Sequence, residues 1–250
     1  MKPRHNTYLS SICESTGEVD PLRAIAKYVS PYRKPGMTLE VLAGKLGVSA
    51  IVEEGLPFDG GVFAEGTKLT IKINSSSIPV RKRFTLAHEL GHLIISGNDA
   101  RSARRCLTSN PLEMACDLVA AELLMPVDEV LGAFEGRASV ATLRLFADRF
   151  KVSLQAAAVR LRELKLWRES VGFWKWNGSA ERLWYLGRRF WTDDQVLSPA
   201  FEQAMGRTSP IETDVQCNGS SGIGIRRIPV KLQKLGKQYI VGLISVPTAK

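Results

Sequence analysis

His88 and His92 stand four residues apart with Glu89 beside the first, in the run His88-Glu-Leu-Gly-His92. In an α-helix, residues four apart share a face one turn above each other. Two imidazoles so placed can grip one metal ion, while Glu89 is rotated far enough to reach a water at that ion. The chain has only three histidines, and two of them are here. The flanking residues predict the helix independently. Phe84, Leu86, Ala87, Leu90, Leu93, Ile94 and Ile95 form a broad apolar stripe, and Gly97 is placed to end it.

A catalytic zinc takes three protein ligands and keeps one position open. The run Asn110-Pro-Leu-Glu-Met-Ala-Cys-Asp-Leu-Val-Ala-Ala-Glu-Leu-Leu-Met-Pro126 predicts a second helix, with Asn110 as N-cap, Pro111 at its first position and Pro126 as its stop. Glu113 falls in its first turn, with Asp117 one turn later on the same face. Glu113 is the expected third ligand. Asp117 is placed to accept the free N–H of a ligating imidazole. Glu113 could instead serve only as the acidic residue of a capping box. Glu122, nine residues on among Ala120, Ala121, Leu123 and Leu124, is the rival ligand, but it brings no second carboxylate at i+4. Two imidazoles and a carboxylate favour Zn²⁺, although Mn²⁺ could occupy the same set.

The run Arg83-Phe-Thr-Leu-Ala-His-Glu-Leu-Gly-His92, followed by Glu113-x3-Asp117-x2-Ala-Ala-Glu-Leu-Leu-Met-Pro126, resembles the ImmA/IrrE family of zinc metallopeptidases. The likeness is dense over residues 40 to 126. It implies a gluzincin-type core, with His88, His92 and Glu113 as metal ligands and Glu89 as the catalytic carboxylate. It also implies a substrate: family members act with an Xre-type helix-turn-helix repressor, which they inactivate by cleavage, inducing stress-response or mobile-element genes. Cys116-Asp-Leu-Val119 departs from the Ala-Asn-x-Phe usual at that place and leaves the ligand set intact.

The elements around these helices must then position them. Asp20 and Pro21 open a helix that Pro31, Pro35 and Gly36 break, and Thr38 caps a short one with Leu39, Val41, Leu42 and Leu46 inward. Residues 1 to about 19 lack periodicity and read as a loose arm. Val48 to Glu53 reads as a short strand. Gly60 to Asn74 reads as a hairpin, with Leu69, Ile71 and Ile73 alternating with polar residues and Glu65-Gly66 at the turn. Val62–Ala64 or Leu69–Ile73 is the expected open edge on which an extended peptide could pair. The basic run Arg81-Lys-Arg83 reads as solvated. Tyr28 and Tyr32 are candidates for stabilising an oxyanion.

Ser139 to Leu164 predicts two helices joined at Lys151-Val-Ser153, a helix-turn-helix outline. Its second helix offers only Gln155 for reading a base edge; Arg160 and Arg162 come late, suited to phosphates or an acidic protein. DNA binding is a minor role on that count. All five tryptophans fall between Trp167 and Trp191, read mainly as the core of a strand-rich domain, with strands over 226–232 and 238–246.

Residues 1–128 hold 15 Lys and Arg against 14 Asp and Glu, and residues 129–250 hold 19 against 11, so nearly all of the net charge of +9 lies in the second half. That asymmetry suits an acidic partner. No apolar run approaches the roughly 20 residues of a membrane helix, the first residues form no secretory signal, and the four cysteines make no C-x-x-C pair, so a cytoplasmic protein with free thiols is expected. The expected fold class is α+β: a zincin-like (minigluzincin) domain over 1–128, a helix-turn-helix-like module over 129–168 and a basic β-rich domain over 169–250. The alternative is a non-catalytic zinc-containing regulator that binds a repressor, or DNA through its basic half.

Overall fold

A computed structural model of the chain describes residues 7–34, 36–97, 110–134, 138–187, 197–218 and 225–244. The chain is mixed α and β and divides into two compact units. One comprises residues 1–134 with 150–153, the other 135–149 with 154–250.

The first unit opens with helix α1 (Thr7–Thr16), where the sequence suggested an unstructured arm. Leu9, Ile12 and Cys13 of α1 join the core of this unit, and Ile12 is buried there. A ten-residue helix gains its stability from such packing rather than from its own propensity, which is why periodicity failed to reveal it. Helix α2 (Pro21–Val29) begins as expected: the Asp20 carboxylate accepts from the Leu22 and Arg23 amides. A 3₁₀ turn follows over Ser30–Tyr32. Helix α3 (Leu39–Lys45) is capped by Thr38, whose hydroxyl accepts from the Val41 amide. Leu42 and Leu46 face inward; Val41 does not, being 50% exposed, because it falls on the opposite side of this short helix.

Strands β1 (Val48–Glu54), β2 (Gly60–Glu65) and β3 (Lys68–Asn74) form a sheet in the order β1-β3-β2. β2 and β3 pair antiparallel from Gly60–Ile73 to Glu65–Lys68, and Gly66 takes a positive φ in the two-residue turn. β1 runs parallel to β3, so β3 is the central strand. Leu69–Ile73 is therefore not an open edge, and β2 is. Leu69, Ile71 and Ile73 face the core as their alternation predicted.

Helix α4 (Pro79–Ile95) carries the His-Glu-x-x-His run, and helix α5 (Asn110–Leu124) packs against it. Gly97 follows α4 in the left-handed conformation that a helix-ending glycine provides. Arg81, Lys82 and Arg83 are engaged rather than simply solvated. Arg81 pairs with Asp59, Lys82 with Glu53 at 2.6 Å, and Arg83 donates to the carbonyl of Phe150 at 2.7 Å. Their alkyl stems reach acceptors on β1, in the bend before β2 and on the 150–153 segment, a proximity only the folded chain creates. Helix α6 (Val127–Ala133) ends the contiguous part of this unit.

The second unit contains α7 (Val140–Phe150, through Arg149) and α8 (Leu154–Glu163), followed by strands β4 (Ser170–Trp176) and β5 (Ala180–Leu186), helix α9 (Ser198–Met205), and strands β6 (Ile211–Asn218), β7 (Ile225–Leu235) and β8 (Tyr239–Ile244). The five strands make an antiparallel sheet in the order β5-β4-β8-β7-β6. Trp174 lies at its centre with Phe201 of α9, Leu232, Ile240 and Ile244, and Trp167 is also buried. Most of the described tryptophan surface thus serves packing. Arg160 is buried as well, 3.9 Å from Glu163, so it is no surface contact for phosphates. Its position on the inner face of α8 beside Ala157 and Leu161 decides that. Trp191 and residues 219–224 lie outside the described residues.

Candidate metal centre

The site is assembled from two helices. His88 and His92 project from one face of α4, with their rings edge-on and centroids 4.9 Å apart. Glu113, from the first turn of α5, comes to meet them. Its Oε2 lies 3.1 Å from Nε2 of His88 and its Oε1 lies 3.5 Å from Nε2 of His92; the two Nε2 atoms are 3.2 Å apart. One donor atom from each of the three residues falls within 4.8 Å of the others. On the far side of His88, Nδ1–H donates to Oδ1 of Asp117 at 2.9 Å.

This geometry tests whether a cation fits. A carboxylate on Nδ1 holds the proton there, so Nε2 of His88 presents a lone pair inward. That lone pair faces a second imidazole nitrogen and a carboxylate oxygen. Three electron-rich atoms converging at this distance repel one another unless a positive charge lies among them. A nitrogen, nitrogen, oxygen set is also the donor chemistry of a divalent transition metal with an open position. The residues fit a metal ion.

The surrounding groups shift the titration of these residues in different directions. Burial disfavours the imidazolium of His88, but the hydrogen bond and charge of Asp117, together with Glu89 and Glu113, outweigh it and raise its pKa. Burial and the neighbouring His88 lower that of His92. Glu89 is buried at 5% exposure, and burial is the main cause that pushes its carboxyl up to about 7. Its Oε2 has no hydrogen-bond partner among the described residues. A buried carboxylate oxygen left unmatched is costly, and such groups concentrate where proton transfer is done.

Glu122 is removed from the contest. Its carboxylate is fully buried, 3.0 Å from the Arg33 guanidinium, and accepts from the Val127 amide. It serves as an anchor between the turn after α2 and the end of α5. Tyr28 is likewise engaged elsewhere: its hydroxyl donates to the carbonyl of Ile94 at the far end of α4. The N-cap side chain expected at Asn110 lies outside the described residues.

Sequence reading overlooked two glycines. A Cβ on Gly91 would lie 3.1 Å from the carbonyl oxygen of Cys116 and 3.2 Å from its Cα. A Cβ on Gly60 would lie 2.5 Å from the Thr85 methyl, so β2 runs close against α4 one turn before Glu89. A glycine within a helical run was the available signal for the first.

The profile of the IrrE N-terminal-like domain, peptidase family M78, matches residues 40–162. Over residues 40–162 the chain is similar to the ImmA/IrrE family of metallopeptidases. Over 106 residues it is 39% identical to the radiation response metalloprotease IrrE of Deinococcus radiodurans, and over 104 residues 36% identical to that of Deinococcus deserti. Each match takes in 37% of this chain, and 30% and 36% of those two proteins, so the chain spans about a third of the length of the IrrE proteins it matches. A solved structure of a Mycobacterium tuberculosis transcriptional regulator superposes with a TM-score of 0.53, covering 95% of this chain and 92% of that one at 16% identity. At that identity the likeness is one of fold. Among the described residues no helix is long and apolar enough to cross a membrane.

Proposed function

We propose that this protein is a zinc-dependent endopeptidase whose substrate is a helix-turn-helix repressor of the Xre type, inactivated by cleavage. The observation that carries the reading is the convergence of His88, His92 and Glu113 beside a buried glutamate with an unmatched oxygen. The likeness of residues 40–162 to the IrrE N-terminal-like peptidase domain supports a protein substrate.

In this reading the first unit has a zincin-like, minigluzincin core, and His88, His92 and Glu113 hold the ion. When bound, zinc would polarise a peptide carbonyl and acidify the attacking water. Glu89 takes the proton from that water at Oε2 and delivers it to the nitrogen of the departing amine. Oε2, buried and without a hydrogen-bond partner among the described residues, is free to accept that proton and return it. Asp117 keeps the His88 ring in one tautomer and one orientation. The free edge of β2, seated against α4 on the Glu89 side, pairs by main-chain hydrogen bonds with an extended substrate segment and presents one carbonyl to Glu89. DNA binding by the second unit is at most a minor role: Gln155 is exposed, while Arg160 is buried.

The test is Glu89→Gln in the full chain, incubated with a purified Xre-type repressor and Zn²⁺. Wild type should yield defined repressor fragments on a gel and the variant none, with equal zinc content by elemental analysis. Repressor inactivated equally by both, without fragments, would replace this reading with the non-catalytic one.

A further inference from the structure

We propose that Gly91 is a positioning residue for the metal centre, setting how deeply helix α5 docks on α4 and hence how far Glu113 and Asp117 reach. The inference rests on the metal-site reading above and adds a residue that neither binds the ion nor touches the substrate.

At Gly91 the main chains of the two helices come close together. The nearest neighbours of a Cβ at Gly91 are the carbonyl oxygen, Cα and Cβ of Cys116, at 3.1, 3.2 and 3.4 Å. Two of these three atoms belong to the main chain of α5, so no rotamer change can relieve them. The contact is also in step with the donor residues on both sides. Gly91 follows His88 by three and precedes His92 by one; Cys116 follows Glu113 by three and precedes Asp117 by one. This close approach therefore sits level with both pairs, and the spacing there passes directly into the distance between imidazoles and carboxylates.

Magnitude makes this more than packing. Glycine inside a helix is about 1 kcal/mol less favourable than alanine, so its presence in a buried helix implies a compensating contact. An added Cβ at these distances would move α5 outward by a few tenths of an ångström. Metal–ligand bonds tolerate about 0.2 Å. The displacement thus matches the tolerance of the site while being small for a core.

The experiment uses the full chain as wild type, Gly91→Ala and Gly91→Val. Zn²⁺ affinity is measured by competition with a chromogenic chelator, and Co²⁺ absorption reports the ligand set. Circular dichroism and melting of the metal-free proteins report the fold. Gly91→Ala should bind Zn²⁺ about tenfold more weakly, and Gly91→Val roughly a hundredfold. The Ala variant should retain a wild-type circular dichroism spectrum, so that it carries the test should Val misfold. In a Glu113→Ala/Asp117→Ala background, the same Gly91→Ala change should cost no further affinity, because the reach it alters is gone. Gly60→Ala, tighter still against α4 through the Thr85 methyl but on the strand side, should leave Zn²⁺ affinity unchanged.

Unchanged affinity in folded Gly91→Ala, an undiminished loss in the double-alanine background, or an equal loss in Gly60→Ala would each overturn the assignment. Wild type that binds no Zn²⁺ would instead overturn the metal-site reading on which it stands.

Discussion

Asp117 Oδ1 and His88 Nδ1 lie 2.9 Å apart, on the side of the imidazole ring opposite the nitrogen that faces His92 and Glu113. One ring thus links the acidic surface of α5 to the convergent donors. An Asp117→Ala variant removes the acceptor that fixes tautomer and orientation. Zn²⁺ affinity should fall by about 10- to 100-fold, as it does when such partners are lost elsewhere. Chelator competition would show it, and affinity equal to wild type would mean the ring is held by other contacts.

In the proposed mechanism Glu89 takes part in the chemistry and not in holding the ion. Glu89→Gln keeps the shape and burial of the side chain but cannot take a proton. Peptide cleavage should drop by at least 10²-fold, the ordinary contribution of a general base, while Zn²⁺ affinity stays within a few-fold of wild type. Rates on a fluorogenic peptide derived from the repressor, together with metal titration, measure the two quantities side by side.

Arg33 and Glu122 predict an effect on stability with none on metal. Replacing Arg33 by Met takes the counter-charge from a carboxylate that is fully buried, and losing one member of such a pair costs about 3–5 kcal/mol. Denaturant titration of the metal-free protein should show that loss, whereas zinc stoichiometry should remain at the wild-type value. A fall in stoichiometry would return Glu122 to the list of ligands.

Asp59 and Arg81 tie the start of β2 to the first turn of α4. The hydrogen bond from Arg81 is the chief cause holding the Asp59 carboxyl below its ordinary value. A depressed folded-state pKa gives stability that is present above the unfolded value near 3.8 and is lost as pH falls through the folded one. Asp59→Asn should therefore be less stable than wild type at pH 7, by no more than about 1 kcal/mol for so exposed a pair. The gap should close below pH 3.8. Paired thermal melts across pH 2 to 7, taken as about one unit per step, would reveal a gap that fails to close.

Much of the site was legible because its information is local. Spacing of four puts His88 and His92 on one face, and spacing of four does the same for Glu113 and Asp117, whatever the rest of the chain does. Proline and glycine positions likewise marked the ends of α4 and α5, and period-two alternation marked β3. These are properties of a few adjacent residues, and a single sequence contains them.

What the tertiary structure alone decided was which local pieces meet. Glu113 and Glu122 are both acids on one helix, and only the arrival of Arg33 at Glu122 assigns one to an anchor and leaves the other for the imidazoles. Strand order placed β3 at the centre and β2 at the edge, a choice that two adjacent strands of a hairpin cannot make by themselves. The same holds for α1, whose short helix exists by virtue of its packing, and for Gly91, whose missing side chain has meaning only once Cys116 lies against it. Spacing along the chain sets which side chains share a face; long-range burial and pairing, which depend on residues tens of positions away, set what that face confronts.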